Sequence, residues 1–135
     1  MARIDASKVW SLNYRLISTV IVGVTPQLAG LGLEVKELFV LAAIDEHPHP
    51  AELADVLCIP KPSITVYLKR LGNSGFIRRE IDPGDLRRHR LNLTSTGRKV
   101  TARGLALLAE AYGERLSRLS GAEQAQLASL LEKLN

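Results

Sequence analysis

One cysteine in 135 residues rules out an internal disulfide, and Cys58, set between Leu57 and Ile59, is expected to be a buried small side chain rather than a redox sensor. Aromatic residues make up only 4% of the chain, so stacking on single-stranded bases is a poor explanation of what it does. No apolar run approaches the roughly 20 residues that span a bilayer. The opening M-A-R-I-D-A-S-K lacks the apolar stretch of a secretory signal. These absences point to a reducing cytoplasm. There is no Gly-rich phosphate loop, no H-E-x-x-H and no G-x-S-x-G, and scattered Ser and Asp residues make no triad, so the chain is not expected to be an enzyme. His47, His49 and His89 are the only histidines, and the His-x-His of the Pro-rich loop has no third ligand at a usual metal spacing, so neither metal nor cofactor is expected. No internal repeat or low-complexity linker interrupts the sequence, and its length suits one domain over residues 1–135 with a modest core.

What is present is concentrated in the middle. Residues 61–103 hold eleven Lys and Arg against three acids, a net of +8, while the rest of the chain nets −4, so the formal total of +4 conceals a strong asymmetry. A basic segment of this kind is the footprint of phosphate contact. Within it, residues 85–94, D-L-R-R-H-R-L-N-L-T, place four basic residues in a short loop that leads into a strand. Upstream, residues 59–73 read I-P-K-P-S-I-T-V-Y-L-K-R-L-G-N. Ile64, Leu68 and Leu71 recur there at helical spacing and leave Lys61, Ser63, Thr65, Lys69 and Arg70 on other faces. Gly75-Phe76-Ile77 breaks that helix and begins an extended segment. Helix, turn, strand, basic loop and strand in this order make a winged helix-turn-helix, which places the fold as mainly α with a small β-hairpin wing.

In these residues the chain resembles the MarR-type transcriptional regulators, closely over residues 33–99 and more loosely in the terminal helices. The family's wing signature, Asp-x-Arg followed by Leu-Thr and a Gly, stands here as Asp85, Arg87, Leu93, Thr94 and Gly97. Its helix-turn-helix falls on residues 51–57, 58–60 and 61–73. Val66 stands where the family often has Arg, and Pro60 and Pro62 bracket Lys61 where Ser is more usual, so base preference is the part that transfers least. The resemblance implies a dimeric, sequence-specific regulator of double-stranded DNA, a ligand-responsive repressor at an inverted-repeat operator, with residues 33–93 as the DNA-binding lobe and residues 1–28 and 94–135 as dimerisation helices. It also implies a small aromatic or amphipathic effector, for which Trp10, Tyr14, Arg15 and Tyr112 are candidates because they are aromatic or amphipathic residues on those helices.

On the DNA side, Ser63 and Thr65 are placed to bond base edges and Pro62 and Val66 to lie against thymine methyls, with Lys69 and Arg70 on phosphate. Arg87 or Arg88 at the wing tip would enter the minor groove. Lys61 and Arg90 complete the basic surface. Asp85, a poor DNA contact beside two arginines, is assigned to holding the wing's shape. Purely structural readings stand beside these: Ser63 as a helix cap, Arg70 as the partner of an acid, and the whole winged helix as a protein-interaction module without sequence-specific DNA binding.

Both ends of the chain read as helix. From residue 7 to about 25 two apolar stripes run side by side, Trp10, Tyr14, Ile17, Ile21 and Val24 beside Val9, Leu12, Leu16 and Val20, and one helix cannot bury both alone. Pro26 and Gly30-Leu31-Gly32 are expected to end it. A second helix follows, with Val35, Leu38, Phe39, Leu41 and Ala42 inward. Pro50 suits the first turn of a third helix. After the wing, Thr94 or Ser95 caps a long helix carrying Leu105, Leu108, Tyr112, Leu116 and Leu119, and Ser120 to Glu123 has the form of a capping box before a final Leu-rich helix.

Overall fold

The computed structural model describes residues 3–135, so the first two residues of the expected 1–28 segment lie outside it. In chain order the elements are α1 (Ala6–Ala29), α2 (Val35–Ala43), α3 (Pro50–Leu57), α4 (Lys61–Asn73), β1 (Ile77–Asp82), β2 (Asp85–Leu93), α5 (Ser95–Leu116) and α6 (Gly121–Leu134). They form the mainly α fold with one antiparallel hairpin that the sequence suggests. No helix among the described residues is long and apolar enough to cross a membrane. Two compact units result: Thr25–Ala106, and a terminal unit of the residues up to Val24 together with Leu107–Asn135. The division falls inside α1 and α5.

Helix α1 begins at Asp5, whose carboxylate accepts the Ser7 amide at 3.0 Å and its hydroxyl at 2.7 Å. The hydroxyl bond, with the backbone bonds behind it, lowers the Asp5 pKa. The helix does not stop at Pro26 but carries it inside and runs to Ala29. An internal proline costs about 3 kcal/mol, and fully burying a Val or Leu side chain returns roughly 1.5–3 kcal/mol each. Val24 and Leu28, both fully buried, outweigh the local penalty. The true stop is Gly32 at φ 78, where Leu33 N–H reaches back to the Leu28 carbonyl and Gly32 N–H to that of Ala29.

In α2 the buried arc is rotated from the expected one. Leu38, Val40 and Leu41 are buried, Val35 and Phe39 are half-buried, and Ala42 is exposed. The arc includes Glu37, 2% exposed, which a hydropathy pattern assigns to solvent. Its carboxylate accepts the Glu34 N–H at 2.9 Å, closing a capping box, and faces Arg70 at 3.7 Å. A satisfied carboxylate can occupy an inward position that would otherwise fall to an apolar residue.

The Asp-x-Arg…Leu-Thr-x-x-Gly pattern has a local physical cause. The Thr94 hydroxyl donates to the Gly75 carbonyl at 2.6 Å and accepts the Gly97 N–H at 2.9 Å, so it caps α5 and fastens it to the turn between α4 and β1. The Thr94 N–H also donates to the Phe76 carbonyl. A Cβ at position 97 would overlap that same Phe76 carbonyl oxygen, which is why glycine stands there. Ser120 and Glu123 form the expected capping box at the start of α6.

Candidate nucleic-acid interface

Helix α3 starts with Pro50 in its first turn and ends at Cys58, a non-glycine residue at φ 53 whose N–H closes on Asp55 while Ile59 N–H closes on Ala54. Cys58 is exposed, not buried as expected, because the left-handed cap turns its side chain away and sends Ile59 inward instead. Ile59-Pro60 then leads into α4. Ile64, Leu68 and Leu71 anchor this helix, as their spacing requires. On the opposite line, at 3.6 residues per turn, stand Pro62, Val66, Lys69 and Asn73, all exposed. Lys61 and Thr65 flank them.

Four features of this surface refine the expected roles. Pro62, Ser63, Val66 and Tyr67 line a shallow hollow of about 260 Å³ on the outer side of α4. Tyr67 and Asn73 escaped the sequence reading. Tyr67 belongs to no motif, although the phase of Ile64, Leu68 and Leu71 would have placed Asn73 outward. Thr65 donates its hydroxyl to the Lys61 carbonyl at 3.1 Å, leaving its oxygen as an acceptor. Arg70 is directed away from the outer line: it bonds Glu34 at 2.9 Å and faces Glu37 at 3.7 Å, and the Glu34 bond, then Glu37, raises its pKa. The purely structural reading of Arg70 therefore has a geometry, a tie between α4 and α2. Arg98, another base of the charged segment, is held in the same way by Asp45 at 2.9 and 3.3 Å.

The hairpin is shorter in its turn than the basic loop expected. Pairing runs from Ile77↔Leu93 to Ile81↔His89, and the next pair is Asp82↔Asp85. Leu86, Arg87 and Arg88 thus lie on β2 in an irregular stretch with no residue opposite, while Arg90 sits within the regular ladder across from Glu80. A bulge of this kind bends and twists the strand that carries it. Asp82 Oδ1 accepts the Gly84 N–H at 2.8 Å and Asp85 Oδ1 accepts the Arg87 N–H at 3.0 Å, so two carboxylates shape the tip from either side of the turn. Arg87, Arg88 and Arg90 are exposed, and so are Ile81 (58%) and Leu86 (80%), which the charge pattern did not single out.

The loop before α3 lies along this hairpin. Leu91 N–H donates to the Pro48 carbonyl at 2.8 Å, and His49 approaches both strands. His47 donates from Nδ1 to Glu52 at 2.8 Å, and this bond lowers the Glu52 pKa against a smaller desolvation effect.

In the terminal unit the expected effector residues fall into two places. Trp10, Tyr14 and Arg15 line one groove of α1 with Ser11, Ser18 and Thr19, about 430 Å³ in volume, with the Trp10 and Tyr14 rings 6.2 Å apart. Tyr112 lines another, smaller one with Leu16, Leu116, Leu119 and Leu127 together with Arg115 and Arg118.

A helix with an outward apolar and basic line, one short turn after a capped helix and followed by an arginine-bearing hairpin, defines a winged helix-turn-helix protein. The chain belongs to the MarR family, transcriptional regulators that bind DNA: the family model matches residues 33–89. It is 34% identical to the transcriptional regulator HosA of Escherichia coli over 97 residues, 70% of this chain and 72% of HosA. Along 99% of its length it is 27% identical to the transcriptional repressor Rv2887 of Mycobacterium tuberculosis, covering 98% of that protein. Among solved structures it resembles Rv2887 in complex with salicylic acid (TM-score 0.76, 28% identity, 92% of this chain and 93% of that one). It also resembles a MarR variant of E. coli complexed with operator DNA (TM-score 0.78, 25% identity, 94% and 93%).

Proposed function

We propose that the protein is a dimeric repressor that binds an inverted-repeat operator and responds to a small aromatic or amphipathic ligand. The observation that carries this reading is the outward line of α4 beside the exposed arginines of β2, in a chain whose relatives include named repressors and a neighbour bound to operator DNA. In this reading α4 lies in a major groove. Pro62 and Val66, rimming the hollow with Tyr67, meet thymine methyls, and Ser63 and Thr65 bond base edges. Lys61 and Lys69 hold phosphate. Arg87 or Arg88 reaches the adjacent minor groove from the bulged strand while Arg90 follows the backbone, and Asp85 keeps the Arg87 backbone in place. Arg70 serves the site indirectly, by fixing α4 on α2.

One winged helix reads few base pairs, and two copies about 34 Å apart gain both affinity and register. The terminal helices fit that need, because Trp10, Leu12, Ile17 and Val22 of α1 and Leu130 and Leu134 of α6 are all at least 50% exposed in the single chain. For the effector, the α1 groove offers two aromatic rings and the Arg15 guanidinium, a fit for an aromatic ring bearing a negative charge, and Rv2887 has been crystallised with salicylic acid. Such a ligand changes DNA binding only through a difference in its affinity for the bound and free arrangements.

The test is selection of duplexes from a random pool by the purified protein. Recovery of an inverted repeat, bound with an affinity that falls steeply between about 50 and 200 mM salt, supports the reading. A nearly flat salt dependence, with no recovered motif, would favour the protein-interaction module instead.

A further inference from the structure

A neutral imidazole has one N–H and an imidazolium has two. His49 presents both ring nitrogens to acceptors: Nδ1 lies 3.2 Å from the His89 carbonyl oxygen on β2, and Nε2 lies 3.2 Å from Asp82 Oδ2 on β1. A carbonyl and a carboxylate can only accept: Nδ1 hydrogen-bonds the carbonyl while Nε2 stands at ion-pair distance from the carboxylate, an arrangement that suits the imidazolium. The pair is sheltered, with the His49 and Asp82 side chains 17% and 15% exposed. Asp82 is not a free surface acid, since its other oxygen holds the Gly84 N–H at the hairpin turn. The same loop takes the Leu91 N–H on its Pro48 carbonyl at 2.8 Å, so residues 48 and 49 together touch both strands of the hairpin just before α3 begins.

We propose that His49 is a positioning residue for the wing: as an imidazolium it clasps β1 and β2 to the front of the helix-turn-helix, and losing its proton releases the hairpin, so that duplex affinity falls as pH rises. The proposal rests on the reading of the hairpin as a DNA-contacting wing. Histidine is the side chain that ordinarily changes charge between about pH 5 and 8. Facing His49 are the Asp82 carboxylate from β1 and the His89 carbonyl from β2. Glu52 of α3, with His47 bonded to it, and Arg88 of β2 complete the local charges, Glu52 being the group on which His47, His49 and Arg88 all act.

The experiment measures affinity for a duplex recovered from the random pool at pH 6 and pH 8.5, together with hydrogen-exchange protection of the Leu91 amide in the free protein, corrected for the intrinsic pH dependence of exchange. The expected result is a fall in affinity of about fivefold across that range, the low end of typical coupling between sites, with a parallel loss of Leu91 protection. His49→Gln should bind weakly at both pH values, and Asp82→Asn, which keeps an oxygen for Gly84, should shrink the pH effect. His47→Gln and His89→Gln should retain it. A wild-type protein whose affinity and Leu91 protection are both flat, or a His49→Gln variant with an unchanged pH slope, overturns the proposal. If Leu91 responds to pH through His49 but no duplex is bound at any pH, the clasp stands and the DNA-binding reading fails.

Discussion

Leu38, Leu41, Ile44, Leu53 and Leu71 of the Thr25–Ala106 unit are 1% exposed or less, whereas Trp10, Leu12, Ile17 and Val22 of the terminal unit stand at 50–72% and α6 buries no residue at all. The two parts have similar apolar periodicity and opposite fates. In the lobe, short helices crossing at a hairpin enclose one another, so a stripe on α2, α3 or α4 finds its cover within the chain. At the termini the helices are longer than anything in the same chain can cover. A surplus of this kind is the surface that the proposed dimer would cover, while the lobe buries its apolar stripes within the chain and leaves its outer face for the proposed DNA contact.

The sharpest way to break the comparison is to delete residues 1–25. If the terminal unit exists for association, the truncated protein should sediment as monomer or aggregate and lose tight operator binding, although helix-turn-helix and wing remain. A soluble monomer that binds a full operator as tightly as the intact chain would refute the dimer and the proposed route of effector control.

Two glycines on α5 probe the same contrast at the level of packing. Gly97→Ala should destabilise the protein by about 2–3 kcal/mol in denaturant melts, since its Cβ meets backbone that cannot yield. Gly113→Ala, with nothing within 4 Å, should stabilise by roughly 0.5–1 kcal/mol through helix propensity alone. A smaller penalty at 97 than at 113 would reverse the assignment of tight and open regions.

Within the wing, Arg87→Ala should weaken duplex binding and reduce the salt slope by about one per subunit. Asp85→Ala should also weaken it, by loosening the turn that Asp85 ties to the Arg87 N–H, despite removing a negative charge. Tighter binding by Asp85→Ala would show that simple electrostatics suffices.

The smallest expected effect lies on the acid limb. Glu52 has a lowered pKa in the folded protein because His47 donates to it, so its contribution is present above the unfolded carboxylate value and is lost as pH falls through the folded one. Comparing the melting temperatures of wild type and Glu52→Gln at pH 7 and near pH 3.5 should show a difference at pH 7 that closes in acid. A difference that widens in acid would contradict the His47 assignment.

Much of this was legible in the sequence for local reasons. The limits of α4, the cap at Ser120, Pro50 in the first turn of α3 and the anchoring trio Ile64, Leu68 and Leu71 all follow from spacing and cap chemistry within a few residues. What was not legible depends on partners far along the chain. Arg70 meets Glu34 across 36 residues, and His49 meets the His89 carbonyl across 40. No periodicity announces a buried Glu37 or an α1 that carries Pro26 inside it, since both are decided by packing that outweighs a local preference. The wing arginines fell on a bulged strand rather than in a loop because strand register is settled by pairing, which residue type alone does not reveal.

Thr94 joins three segments with one hydroxyl and one amide: the turn that follows α4, the residue that precedes β1, and the first turn of α5. With Gly97 seated against the Phe76 backbone beside it, the joint has almost no slack. In mechanical terms it is a hub rather than a hinge. A tilt of α5 is expected not to be absorbed there but to reach the end of α4 and the root of the hairpin together.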